Sequence, residues 1–317
     1  MRNMILAAVF IIVAVGILAT LFLVNKDASV TQQSSSDGFT VVATTGMIAD
    51  MVRRIADPEV TVTALMGPGV DPHLFKASEG DVQRMMNARI IFYNGLHLEG
   101  KLTEVFEQMD KRGVSTVAVS RELPVSRLLN VAGFTDVKDP HIWFDVGLWL
   151  EASKTVEAVL MEARPEAADI IASNGRDYRK QLALLHAEVK QDVARIPDAV
   201  RVLVTAHDAF GYFAEAYNIE VRAIQGVSTS TEAGARDIKE LADFLAARQI
   251  PAVFVESSVP PQTIRALQEA VRSRGFELAI GGELYSDAMG PTGSGADSYM
   301  SMVRHNVTTI VNSLAHE

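Results

Sequence analysis

The sequence predicts an α/β protein in two halves, each built from parallel βα units, with one long helix between them. Three observations predict it. Short β-branched apolar runs alternate with helical stretches over residues 39–119, and the alternation resumes over 200–314, the pattern of parallel βα units. Between the halves, Ile170, Ile171, Tyr178, Leu182, Leu185, Val189 and Val193 keep an apolar stripe at helical spacing, from about Glu166 to Arg195, until Pro197 ends it.

In order, residues 39–43 form a first strand and 46–55 a helix. Residues 60–65 form a second strand, with β-branched residues at alternate positions. It ends in Met66-Gly-Pro-Gly-Val-Asp-Pro-His-Leu-Phe75, a loop with two Gly and two Pro. Ser78 caps a helix running to about Asn87, with Glu79 and Asp81 well placed in its first turn. A third strand at 90–93 turns at Asn94-Gly95, a helix at 101–111 stops at Gly113, and 115–119 is a fourth strand. A loose segment, 120–138, leads to Asp139-Pro-His-Ile-Trp-Phe-Asp145. Two helices separated at Pro165 follow. The second half reads as strand 200–205, helix 208–217, strand 219–224, helix 232–247, strand 252–255, helix 261–273, strand 276–280 and a closing helix at 297–314.

Composition narrows the chemistry. The 317 residues are 48% hydrophobic, enough for two ordinary domains with real cores and unlike a disordered chain. The 39 acidic against 29 basic side chains leave a net charge of −10, which argues against a nucleic-acid surface and favours cations. With no cysteine, disulfides, thiolate zinc sites, iron–sulfur clusters, cysteine nucleophiles and a lipidated N-terminal cysteine are all excluded. From Asn3 to Val24 there is no charge, with Arg2 before the run and Lys26 and Asp27 after it. As a helix this run of roughly 20 residues spans about 30 Å, the thickness of a bilayer core. It reads as an export signal, cleaved or retained as an anchor, rather than a buried core helix; no clear small-x-small site follows it. Residues 31–38 are a polar tether.

Seven histidines could carry chemistry. His186 and His305 lie within helices, where packing is the simpler role, and His316 is terminal. His97, in Asn94-Gly-Leu-His-Leu-Glu99, stands just beyond a strand. His73, His141 and His207 lie at strand ends, where ligands gather in open α/β sheets. Two of them share Asp-Pro-His, in which proline pins φ and forces the preceding residue extended. Any one of these alone is more often a hydrogen-bonded structural histidine; the case rests on the three together. A fourth candidate is Asp287, in Ile280-Gly-Gly-Glu-Leu-Tyr-Ser-Asp-Ala-Met-Gly290, placed after a strand with glycines on either side. By itself it reads as a turn-capping aspartate. Three imidazoles and a carboxylate suit a divalent metal such as zinc or manganese. Four protein ligands leave little room for a reactive water, which speaks against catalysis.

Other chemistries fare worse. The chain has no Gly-x-Ser-x-Gly, Walker loop, His-Glu-x-x-His or dinucleotide fingerprint. The hydroxyl-rich Gly226–Gly234 loop reads as the cap of the helix near Glu232. Trp143, Phe144, Phe210, Tyr212 and Phe213 flank His141 and His207 and would dry a metal's surroundings.

These stretches, with Gln225-Gly-Val-Ser-Thr229, resemble the metal-binding receptors of bacterial ABC importers for zinc and manganese, the cluster 9 or TroA-like solute-binding proteins. The likeness covers roughly residues 39–315. It implies two (β/α)4-type lobes joined by a rigid helix, with the metal in the inter-lobe cleft. The implied domains are residues 1–38 as signal or anchor, 39–164 and 198–317 as lobes, and 165–197 as the linking helix. It implies His73 and His141 as ligands from the first lobe, His207 and Asp287 from the second, and Glu256 behind them; His97 is not a family ligand. The implied partners are a membrane permease and its cytoplasmic ATPase, the implied place the outer face of the cytoplasmic membrane or periplasm, and the implied state a monomer that binds no nucleic acid. The chain departs from the family in lacking the lipoprotein cysteine and the His-rich acidic loop of zinc-selective relatives. In the family, glutamate at the position of His207 goes with manganese. A metal-dependent hydrolase or chelatase, or a metal-containing adhesin, is the alternative. Because imidazoles must be neutral to coordinate, affinity is expected to fall below about pH 6.5.

Overall fold

The structure, a computed structural model, describes residues 38–230 and 234–315. The apolar run at 3–24, the tether before Gly38 and His316 lie outside the described residues. Among the described residues, no helix is long and apolar enough to cross a membrane.

The first lobe alternates β1 (Thr40–Ala43), α1 (Gly46–Ile55), β2 (Thr61–Ala64), α2 (Glu79–Met86), β3 (Ile90–Tyr93), α3 (Thr103–Lys111) and β4 (Ser115–Ala118). Its four strands form one parallel sheet in the order β2-β1-β3-β4. Strand residues alternate between two apolar layers: Val41, Ala43, Ile90 and Phe92 enter one core, Val42 and Ile91 the other. A parallel sheet covered on both faces requires this. Ser78 caps α2 with a reciprocal box to Asp81, as its position predicts.

The second lobe comprises β5 (Val202–His207), α6 (Gly211–Tyr217), β6 (Glu220–Gln225), α7 (Ala235–Arg248), β7 (Ala252–Glu256), α8 (Gln262–Arg272), β8 (Ala279–Leu284) and α9 (Tyr299–Leu314). β5 pairs with β6, and β7 with β8, both in parallel. β5 and β7 lie side by side. At the end of this seam Glu256 accepts from the backbone N–H groups of Ala206 at 2.8 Å and His207 at 2.9 Å, so a side chain takes the place of ladder bonds.

Between the sheets run α4 (Val146–Ala163) and the 26-residue α5 (Ala168–Val193), parted by a short turn at Pro165–Ala167. α5 buries Ile171, Tyr178, Leu182, Leu185, Val189 and Val193, the stripe expected of it except for Ile170, which is exposed, and packs against α1, α4, α6 and α9. One apolar core therefore runs from β1 through α5 to β5 and α9.

Three boundaries differ from expectation. β5 starts at Val202 and continues through His207, and α6 begins only at Gly211. α7 starts at Ala235 behind Gly234, whose N–H donates to Asp237 at 3.0 Å; the hydroxyl residues of 226–230 do not cap it. The last strand lies at 279–284, not 276–280, so Gly281 and Gly282 are strand residues rather than loop. A Cβ on Gly281 would come within 2.7 Å of Phe254 and Ser313, and one on Gly282 (φ +143°) within 2.6 Å of Thr309. The glycines let α9 lie directly on β8, a contact invisible to local reading.

Candidate metal centre

Both Asp-Pro-His segments fold alike. Asp71 Oδ1 accepts from the His73 N–H at 2.8 Å, and Asp139 Oδ1 from the His141 N–H at 2.9 Å. Proline fixes the middle residue and the aspartate closes the turn onto the backbone, so each imidazole leaves its loop in a set direction. Asp139 does more, because its Oδ1 also accepts from His141 Nδ1 at 2.7 Å. That puts the ring proton on Nδ1 and leaves the Nε2 lone pair facing inward. In the second lobe Glu256 plays the matching part. Its Oε1 takes the two backbone N–H groups of β5, and its Oε2 lies 2.5 Å from His207 Nδ1. That last contact is a close charge pairing whose angle is not that of a hydrogen bond, and His207 Nε2 faces inward.

The four inward groups converge. One ligand atom from each of His73, His141, His207 and Asp287 lies within 4.8 Å of all the others. His73 Nε2 and His141 Nε2 are 3.3 Å apart. Asp287 Oδ1 is 3.4 Å from His141 Nε2, and its Oδ2 is 3.4 Å from His207 Nε2 and 4.0 Å from His73 Nε2. Tetrahedral ligand bonds of about 2.0–2.1 Å imply ligand-to-ligand edges of about 3.3–3.4 Å, and three of these four distances match. His141 and His207 have no exposed surface, Asp287 1% and His73 7%. Both Asp287 oxygens and His207 Nε2 are buried without a hydrogen-bond partner, an arrangement that costs several kcal/mol unless a counter-charge fills it. A divalent cation between them satisfies every one.

The electrostatics are those of a cation site. Burial presses the His141 charge down, but Asp139 and then Asp287 outweigh it and raise its pKa to about 9. Burial likewise opposes the charge on His207, and Glu256 and Asp287 prevail, holding it well above the ordinary imidazole range. For His73 burial wins, with a pKa lowered to about 4. Burial would raise Asp287, yet His207, His141 and His73 hold it well below the usual carboxylate range. The carboxylates behind His141 and His207 thus favour the protonated imidazoles, so at these two positions protons compete with a metal above the ordinary imidazole range.

The remaining histidines stand apart. His97, in left-handed backbone (φ +64°), is outside the cluster. In its motif the working residue is Glu99, which accepts from Thr44 Oγ1 at 2.7 Å and the Asn94 N–H at 2.7 Å and ties β3 to β1. His186 meets Tyr217 Oη at 3.0 Å, and His305 meets the Glu283 carbonyl at 3.1 Å. Sequence reasoning missed Asp71 and Asp139, although the doubled Asp-Pro-His was their signal. It placed Trp143 among aromatics that are mostly core and would also dry the site. The indole also donates from Nε1 to the Ser286 carbonyl at 2.9 Å, joining the residue two places beyond one candidate ligand to the residue before another. Phe144 and Phe210 stack at 4.1 Å beside it.

Two α/β lobes on a shared long helix, with convergent buried imidazoles and a carboxylate between them, are the make-up of a metal-binding substrate-binding protein of an ABC importer. The chain belongs to the family described as ZnuA, zinc-uptake complex component A periplasmic, whose sequence model matches residues 41–313. It is 49% identical over 288 residues to the zinc-binding protein TroA of Treponema pallidum (strain Nichols), covering 90% of this chain and 92% of that one. It is 42% identical over 303 residues to the manganese-binding lipoprotein MntA of Bacillus subtilis (strain 168), covering 96% and 98%. The solved structure of the periplasmic zinc-binding protein TroA from Treponema pallidum superposes with a TM-score of 0.84 at 48% identity, covering 87% of this chain and 99% of that one.

Proposed function

We propose that this protein captures a divalent transition metal, zinc or manganese, outside the cytoplasmic membrane and hands it to an ABC permease driven by a cytoplasmic ATPase. His73, His141, His207 and Asp287 are the ligands, Asp139 and Glu256 orient two of them, and the ion is cargo rather than a cofactor. The observation that carries this reading is the buried Asp287 carboxylate, without a hydrogen-bond partner and facing three imidazoles. Four protein ligands leave no open position for a reactive water, so the protein is not an enzyme. The lobes are residues 39–164 and 198–317 with 165–197 linking them, the chain works as a monomer, and residues 1–38 direct its export, whether cleaved or retained as an anchor. Zinc sits above manganese in the affinity order for nitrogen and oxygen ligands, so zinc binds more tightly in vitro whichever ion is transported. Chelator competition with the purified protein should show zinc binding that Asp287→Ala weakens severely; equal affinity in the variant overturns the ligand set. Growth of a deletion strain on limiting zinc and on limiting manganese then identifies the transported ion.

A further inference from the structure

His73 differs from the other three groups in its setting. It alone keeps appreciable open surface, 7% against at most 1%, and it borders a cavity of about 490 Å3 walled by Leu96, Val131, Pro140 and Val227. An ion entering or leaving by this route passes His73 first. Its loop has no regular structure between β2 and α2 apart from turns, so its direction depends on the Asp71 carboxylate that holds its backbone N–H. The other Asp71 oxygen accepts from Thr229 Oγ1 at 2.6 Å, and Thr229 lies on the opposite lobe, in the loop after β6. A second cavity of about 490 Å3 is bordered by Asp71, Thr229, Gln225 and Ser258. Deeper in, buried bonds join the lobes, among them Trp143–Ser286 and Tyr212–Asp139. The Thr229–Asp71 bond is therefore an inter-lobe tie beside the most exposed ligand, and it acts on that ligand.

We propose that Thr229 is a positioning residue for metal retention: through Asp71 it holds His73 in the site and sets the rate at which bound ion leaves. The inference rests on the metal-capture reading above. Losing the hydroxyl leaves Asp71 one hydrogen bond short and frees the His73 loop to swing outward, while His141, His207 and Asp287 keep their supports. Dissociation should then change far more than association.

The test is stopped-flow release of zinc from the full chain into excess chelator, beside the association rate, for wild type, Thr229→Val and Thr229→Ser. A hydroxyl-to-carboxylate bond is worth on the order of tenfold or more in an equilibrium. Thr229→Val should therefore release zinc about tenfold faster with association altered less than about threefold, and Thr229→Ser, which keeps the hydroxyl, should return to the wild-type rate. Thr229→Ala serves the same arm if valine disturbs the loop. Release from Thr229→Val and Thr229→Ala within about twofold of wild type, or Thr229→Ser as fast as Thr229→Val, overturns the assignment and leaves metal capture standing. A wild-type chain that binds no zinc overturns both.

Discussion

Asp139 and Glu256 each hold one imidazole by Nδ1, so that Nε2 is presented to the centre with its lone pair free. The same contacts favour protons when no metal is present. His141, with its pKa raised to about 9, gives the metal-free protein stability that is full below the unfolded imidazole value of about 6.5. That contribution is lost as pH rises through about 9. The metal-bound form cannot carry this proton, so binding releases it and affinity grows with pH across the interval, by about tenfold per pH unit for each proton displaced. Asp287, held low, stays ionised throughout. Competition titrations from pH 6 to 8.5 should therefore show zinc affinity still climbing above pH 7. Asp139→Ala should bind about 10- to 100-fold more weakly at pH 8 and reach its plateau at lower pH. A wild-type plateau at pH 7 would mean that the carboxylates do not govern the imidazole charge.

Elements put these residues where they act. β5 and β7 end side by side, which is why His207 and Glu256, 49 positions apart, touch. The loop after β8 delivers Asp287 only if α9 can settle against that strand, and Gly281 and Gly282 make the space. Gly281→Val drives two branches into Phe254 and Ser313, so overpacking should cost about 1–3 kcal/mol by urea unfolding, with weakened zinc binding as β8 shifts. Unaltered stability would show that α9 has room to spare. Local pattern rendered these elements unevenly. The 26-residue α5 and the capped α2 were legible because period and capping are short-range signals. β8 was misplaced because a glycine pair reads as a turn unless a helix from 30 residues later is known to lie on it.

At the scale of the molecule, α5 shares one apolar core with both lobes, and each lobe contributes two of the four converging groups. Metal bound between them should therefore stabilise the whole fold as a unit. At an ion concentration 100 times Kd the gain is about 2.7 kcal/mol, or roughly 5 °C in melting temperature for a chain this size. A single transition should move with zinc, return with chelator, and stay put in Asp287→Ala; two transitions of which one moves would show that the lobes unfold separately. The sequence by itself determined the α/β alternation, the long central helix, the lack of thiol chemistry and the three candidate histidines outside the helices, of which only His207 ends a strand, because residue type, periodicity and proline placement act within a few positions. The family resemblance implied that residues 73, 141, 207 and 287 meet without His97 and with Glu256 behind them; only the tertiary structure brought them within 4.8 Å of one another and placed Asp71 and Asp139 behind two of them. Those outcomes depend on contacts between distant segments, and the charge each group carries depends on the burial and neighbours that those contacts create.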